Sequence, residues 1–129
     1  MKLVIGGYAQ GKLGYAMERY GVEACRVWNG CLPGEGGPGV SGQTVIINHV
    51  HELVKGSLLK GGCPEEEIRA FVRRCPDCVM ICDEIGNGIV PVEALEREYR
   101  ERTGRILVEL AKEAQEVVRV ICGIGQKIK

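Results

Sequence analysis

"LVIGGYAQGKLGYA", residues 3–16, decides the reading of this chain. Leu3, Val4 and Ile5 run into Gly6, four residues separate Gly6 from Gly11, and Lys12 follows. That is the order of a phosphate-binding loop set between a buried strand and a helix. Glycines let successive N–H groups turn inward around phosphate oxygens, the helix points its positive end at them, and the lysine neutralises the outer phosphates. The next position usually offers a hydroxyl to Mg²⁺; here it is Leu13, which removes one metal ligand but leaves the backbone cradle. The residues expected to hold nucleotide phosphates are therefore Gly6, Gly7, Tyr8, Ala9, Gln10, Gly11, Lys12 and Leu13. The alternative is an ordinary glycine turn with a solvated lysine.

Outward from this loop, strands and helices alternate. Residues 2–5 read as a strand, and Lys12 to Tyr20 as a helix with Leu13, Ala16, Met17 and Tyr20 at helical spacing, stopped by Gly21. "VEACRV", 22–27, alternates apolar and polar and reads as a second strand. "NGCLPGEGGPGVSG", 29–42, has six glycines and two prolines, which exclude a helix or a central strand. "TVIIN", 44–48, and "CVMIC", 78–82, read as fully buried strands. Helices are predicted over 49–60, 64–74 and 92–115. The second has Pro64 and three glutamates in its first turn and two arginines in its last, matching the helix dipole. In the third, Leu95, Tyr99, Arg102, Ile106 and Leu110 step along one side. "VVRVIC", 117–122, reads as a closing strand and "GIGQKIK" as a tail. The pattern predicts an α/β fold, one domain over 1–129, with a largely parallel sheet and helices on both faces; a Gly/Pro-rich loop occupies 29–43.

Acidic and basic residues number 17 each, so the net charge is zero. This argues against a general nucleic-acid surface or an anionic-membrane surface, both of which require a positive field. No apolar run is long enough to span a membrane, and Met1 leads directly into the first strand rather than into a signal sequence, so a cytoplasmic protein is expected. In a reducing cytosol the seven cysteines are expected as buried thiols, with "CPDC", 75–78, as the stretch that could support a metal or redox role. His49 and His51 are the only histidines, and at i and i+2 of one helix they would face apart, so no metal ligand set is expected. Asp83 and Glu84 end a predicted parallel strand, the edge at which open sheets bind ligands.

"CDEIGNGIVP", 82–91, the long helix after it, "EVVRVICGIGQKIK", 116–129, and "LVIGGYAQGK", 3–12, together resemble the adenosylcobinamide kinase / adenosylcobinamide-phosphate guanylyltransferase family of cobalamin biosynthesis. That family's pattern runs strand, G-G-x-x-S-G-K-S, a middle region, an acidic strand end, then N-E-V-G-x-G-I-V-P. The resemblance implies a P-loop NTPase-like three-layer fold, a homo-oligomer (a trimer), and two activities. One phosphorylates adenosylcobinamide with ATP or GTP, supported by Mg²⁺. The other transfers GMP through a guanylylated histidine. It also implies roles for Lys12 and Glu84 in catalysis and a corrinoid as partner. The chain departs from the pattern at Leu13, at Asn48 in place of a metal-assisting acid, and at Leu107 and Val108 in place of an Asn-Gln pair. The segment that carries the guanylylated histidine is shortened to the Gly/Pro loop, which has no histidine. Two alternatives stand beside a transferase: a non-catalytic nucleotide- or partner-binding protein, and a cysteine-based metal or redox protein.

Overall fold

A computed structural model describes residues 1–37, 42–86, 88 and 92–129. Its elements run β1 (Lys2–Gly6), α1 (Lys12–Tyr20), a single 3-10 turn (Ala24–Arg26), β2 (Val27–Asn29), β3 (Ile46–Asn48), α2 (Val50–Leu59), α3 (Pro64–Arg74), β4 (Val79–Asp83), α4 (Ala94–Glu113), β5 (Glu116–Ile121) and β6 (Ile124–Lys127). The strands form one sheet in the order β2-β3-β4-β1-β5-β6. The pairs from β2 through β5 are parallel, and β6 alone runs antiparallel, against β5. The α/β class and the three-layer, mostly parallel arrangement are those the sequence predicts.

Alternate strand residues feed two apolar layers, as the pleat requires. On one face Leu3, Ile47, Met80 and Val117 pack against α2, α3 and α4 through Leu53, Phe71, Tyr99 and Ile106. On the other, Val4, Ile46, Ile81 and Val118 pack beneath α1, which contributes Leu13, Ala16, Met17 and Tyr20. Burial on both sides explains why "CVMIC" and "TVIIN" read as unbroken apolar runs rather than alternating ones.

Two local expectations are corrected. The stretch 22–27 is not a strand. Val22 tucks under α1, residues 24–26 make the 3-10 turn, and the strand begins only at Val27. Its apolar–polar alternation served a helix exit and a turn instead of a pleat. The "tail" is β6. Cys122 and Gly123 have φ of 51° and 76°, the pair of positive angles that makes a tight two-residue hairpin turn, and β6 returns along β5 in the register Ile121↔Ile124. Of the Gly/Pro-rich loop, residues 38–41 lie outside the described residues, as do Asn87, Ile89, Val90 and Pro91 of the "GNGIVP" stretch.

Candidate nucleotide site

The sheet's carboxyl edge brings the ends of β1, β3 and β4 together. Gly6, the last residue of β1, stands in register with Asp83, the last of β4. A Cβ on Gly6 would meet the Val120 carbonyl oxygen of β5 at 2.5 Å and the Lys12 side chain at 3.3 Å, so only glycine fits there. Gly11 takes φ 83° at the cap of α1, and Ala9 also adopts a positive φ of 53°. Two hydrogen bonds pin the loop to the β5–β6 turn: the Cys122 amide donates to Gln10 Oε1 at 2.8 Å, and the Gly123 amide to the Gln10 carbonyl at 2.7 Å. The Tyr8 side chain stands out into solvent at the crest. Gly11 offers no side-chain cap, and the first turn of α1 carries no acid. The positive end of that helix is thus left open to an anion.

Lys12 is buried, and its Nζ donates to the Gly7 carbonyl at 2.6 Å and pairs with Asp83 Oδ1 at 2.7 Å. Asp83 in turn touches His51: its amide donates to His51 Nδ1 at 3.2 Å, and Oδ2 lies 3.6 Å from Nε2. Burial holds the His51 pKa below its usual value in spite of the neighbouring Asp83 carboxylate, so this imidazole is neutral at pH 7. Glu84 is turned elsewhere. Its carboxylate takes a two-pronged pair from Arg119, at 2.8 and 3.0 Å, while its amide donates to the Gly6 carbonyl. Sequence reasoning placed both Asp83 and Glu84 at the ligand-binding edge but gave the catalytic role to Glu84; Asp83 is the carboxylate that meets the loop lysine. The signal available was its place as the final residue of a buried strand.

Leu13 points into the apolar layer beneath α1, so this position helps pack the helix. Asn48 is buried at the end of β3, and its Nδ2 donates to Asn29 Oδ1 at 2.8 Å. Neither residue fits a Mg²⁺ anchor: one has no oxygen, and the other is a neutral amide held by a neighbouring strand. Leu107 lines a cavity of about 310 Å³ with Glu84, Arg100, Thr103 and Arg119, beside the candidate site.

The histidines are not the helical i, i+2 pair that the sequence suggests. His49 lies before α2 in the left-handed region, φ 57° and ψ 49°, and its ring meets that of His51 edge-on at 5.4 Å. Of the cysteines, Cys75, Cys78 and Cys82 are buried, but Cys25, Cys31 and Cys122 are exposed and Cys63 is half-buried; all seven are free thiols. Burial pushes the Cys78 and Cys82 thiols up to about 12 and raises Cys75 as well, which leaves them protonated and unreactive.

The family model for cobinamide kinase / cobinamide phosphate guanyltransferase matches residues 42–128. The bifunctional adenosylcobalamin biosynthesis protein CobU of Escherichia coli (strain K12) is 42% identical over 67 residues, which is 49% of this chain and 37% of that protein. The protein of the same name from Salmonella typhimurium (strain LT2) is 41% identical over 69 residues, 50% of this chain and 38% of the relative. The aligned stretches thus cover well under half of either relative's length, and the loop at 6–13 lies ahead of the family match. No described helix is long and apolar enough to cross a membrane. With the family model matched from the Gly/Pro-rich loop through the last strand, the chain belongs to the cobinamide kinase / cobinamide phosphate guanyltransferase family.

Proposed function

We propose that this chain binds a nucleoside triphosphate, ATP or GTP, with its phosphates in the loop from Gly6 to Leu13. The observation that carries the reading is Lys12, held at the open end of α1 between the Gly7 carbonyl and Asp83. A lysine ammonium has three protons to donate. Two are committed to Gly7 and Asp83, and the third serves a phosphate oxygen, beside the free amides at the start of α1.

Within cobalamin biosynthesis the reading is a kinase-like relative that acts on, or binds, a corrinoid, with Lys12 and Glu84 as its catalytic candidates. Guanylyl transfer is lost with the histidine of the shortened segment. Phosphoryl transfer is weakened, because Leu13 and Asn48 supply no anchor for the Mg²⁺ that offsets charge on the outer phosphates. The unit is taken as one domain over 1–129, cytoplasmic and homo-oligomeric. A family trimer is the expected assembly, with no nucleic-acid or membrane partner.

Calorimetric titration with ATP and GTP, followed by a turnover assay on adenosylcobinamide, tests this. Lys12→Ala is expected to weaken triphosphate binding at least tenfold, about 1.4 kcal/mol. Equal affinities for wild type and variant would refute the loop assignment.

A further inference from the structure

Of the two histidines, His51 is buried, and the nucleotide reading gives it no task. It lies in the first turn of α2, and its ring reaches across to the end of β4. Both ring nitrogens meet the same residue. Nδ1 accepts the Asp83 amide at 3.2 Å, and Nε2 lies 3.6 Å from Asp83 Oδ2. A neutral imidazole carries a single ring proton, and the nitrogen that accepts a hydrogen bond is not the one that holds it. The proton therefore sits on Nε2 and points at the carboxylate. At 3.6 Å the contact is longer than a full hydrogen bond, so it acts as the attraction of an N–H dipole for an anion in a buried, weakly screened place. The ring has little freedom to leave. His49 meets it edge-on at 5.4 Å from a left-handed backbone, and Cys82 Sγ lies 4.0 Å from Nδ1. One rigid ring thus supplies an acceptor for the main chain and a donor for the carboxylate, which accounts for a histidine buried beside Val50, Leu53 and Val54 of α2.

The other oxygen of Asp83, Oδ1, pairs with Lys12 at 2.7 Å. The carboxylate is thus shared, one oxygen going to the loop lysine and the other facing the histidine. Released from His51, it would turn both oxygens to Lys12, and a two-pronged hold on the ammonium would take the proton that a phosphate needs. We propose that His51 is a positioning residue for triphosphate binding: its Nε2–H holds Asp83 Oδ2 away from Lys12, so that the lysine keeps one N–H for a phosphate oxygen. The proposal rests on the nucleotide reading of the loop. His51 acts through Asp83 alone and makes no contact with the ligand.

The test separates the two ring nitrogens in the full chain. His51→Asn sets an oxygen near the Nδ1 position and keeps an acceptor for the Asp83 amide, but removes the donor to the carboxylate. His51→Gln sets an N–H near the Nε2 position. Calorimetric titration with ATP and with GTP should show affinity about tenfold weaker in His51→Asn, with a thermal midpoint close to that of wild type, and within about twofold of wild type in His51→Gln. In an Asp83→Asn background the same His51→Asn change should have no effect, because the carboxylate it frees is gone. Equal affinity in wild type and His51→Asn would overturn the proposal. So would an equal loss in His51→Gln, or a loss that persists in the Asp83→Asn background. NMR of the nitrogen-labelled, nucleotide-free protein, with His51 assigned by its absence in His51→Asn, should show a protonated Nε2 and a bare Nδ1. The opposite tautomer would overturn the proposal whatever the loop binds. A wild type with the expected tautomer and no affinity for triphosphate would instead refute the loop assignment, and the proposal with it.

Discussion

Lys12 and Asp83 are buried together, so each is the other's compensation in the folded chain. A triphosphate brought to Lys12 meets the Asp83 carboxylate as well, and like charges at this range oppose binding. Asp83→Asn keeps the shape and removes that repulsion. It is expected to tighten triphosphate binding about tenfold, ~1.4 kcal/mol, in a calorimetric titration, while lowering the thermal midpoint because Lys12 loses its ion pair. At Leu13 and Asn48 the expectation concerns metal. Wild-type affinity should depend little on Mg²⁺, and Leu13→Ser with Asn48→Asp should introduce a dependence larger than the sum of the two single changes. Affinities across a Mg²⁺ series for the four proteins of this cycle check it. Strong Mg²⁺ linkage in the wild type would show that other residues hold the ion. The loop glycines, Lys12 and the departure at Leu13 were legible as sequence because they form one short motif. The partnership of Lys12 with Asp83 was not, since it depends on β4 lying next to β1, and that is a fact of topology.

Most elements could be read from pattern alone, because burial on two faces and on one stripe leaves different periodicities. The helices α1 and α3 fall on the predicted residues, the first ended by Gly21 at φ 65° and the second opened by Pro64. The hairpin escaped notice because its turn is Cys-Gly, which carries none of the usual Asn-Gly or Asp-Gly signal. The left-handed His49 escaped for the same reason: no side-chain chemistry announces it. Between elements, Glu116 at the start of β5 ties down the end of α1. Arg19 grips it with two hydrogen bonds at 3.0 and 3.1 Å, and the Tyr20 hydroxyl donates at 2.7 Å. These donors lower the Glu116 pKa to about 2, and Arg102 does the same for Glu65 between α4 and α3. An unfolded glutamate takes up its proton near 4.5, well before either folded one does. The unfolded chain therefore binds more protons in this window, and the stabilisation, complete above about pH 4.5, is lost as pH falls towards 2. Urea midpoints measured at pH 7, 4 and 3 should fall with acidity, and Glu116→Gln should lower the value at pH 7 and flatten the decline. An unchanged slope in that variant would show that the acid transition arises elsewhere.

Across the whole molecule, the two histidines sit at the β3–α2 junction, and no histidine is present in the shortened segment before it. Incubation with GTP and Mg²⁺ is therefore expected to leave the intact mass unchanged. A stable gain of one GMP, abolished by His49→Ala or His51→Ala, would reassign these residues as nucleotide acceptors. The clamp between Gln10 and the β5–β6 turn joins groups 112 positions apart in sequence. It also sets the timing of assembly. While the chain is being synthesised, the loop emerges well ahead of its frame, by an interval on the order of 10 s at cellular elongation rates. β1 waits similarly, because its partners are β4 and β5. Contacts so distant in sequence slow folding. A small molecule that needs the finished loop finds nothing to bind until the β5–β6 turn has been made and packed. It can act only once those later strands are in place, by drawing assembled molecules out of the folding equilibrium rather than by guiding them towards it.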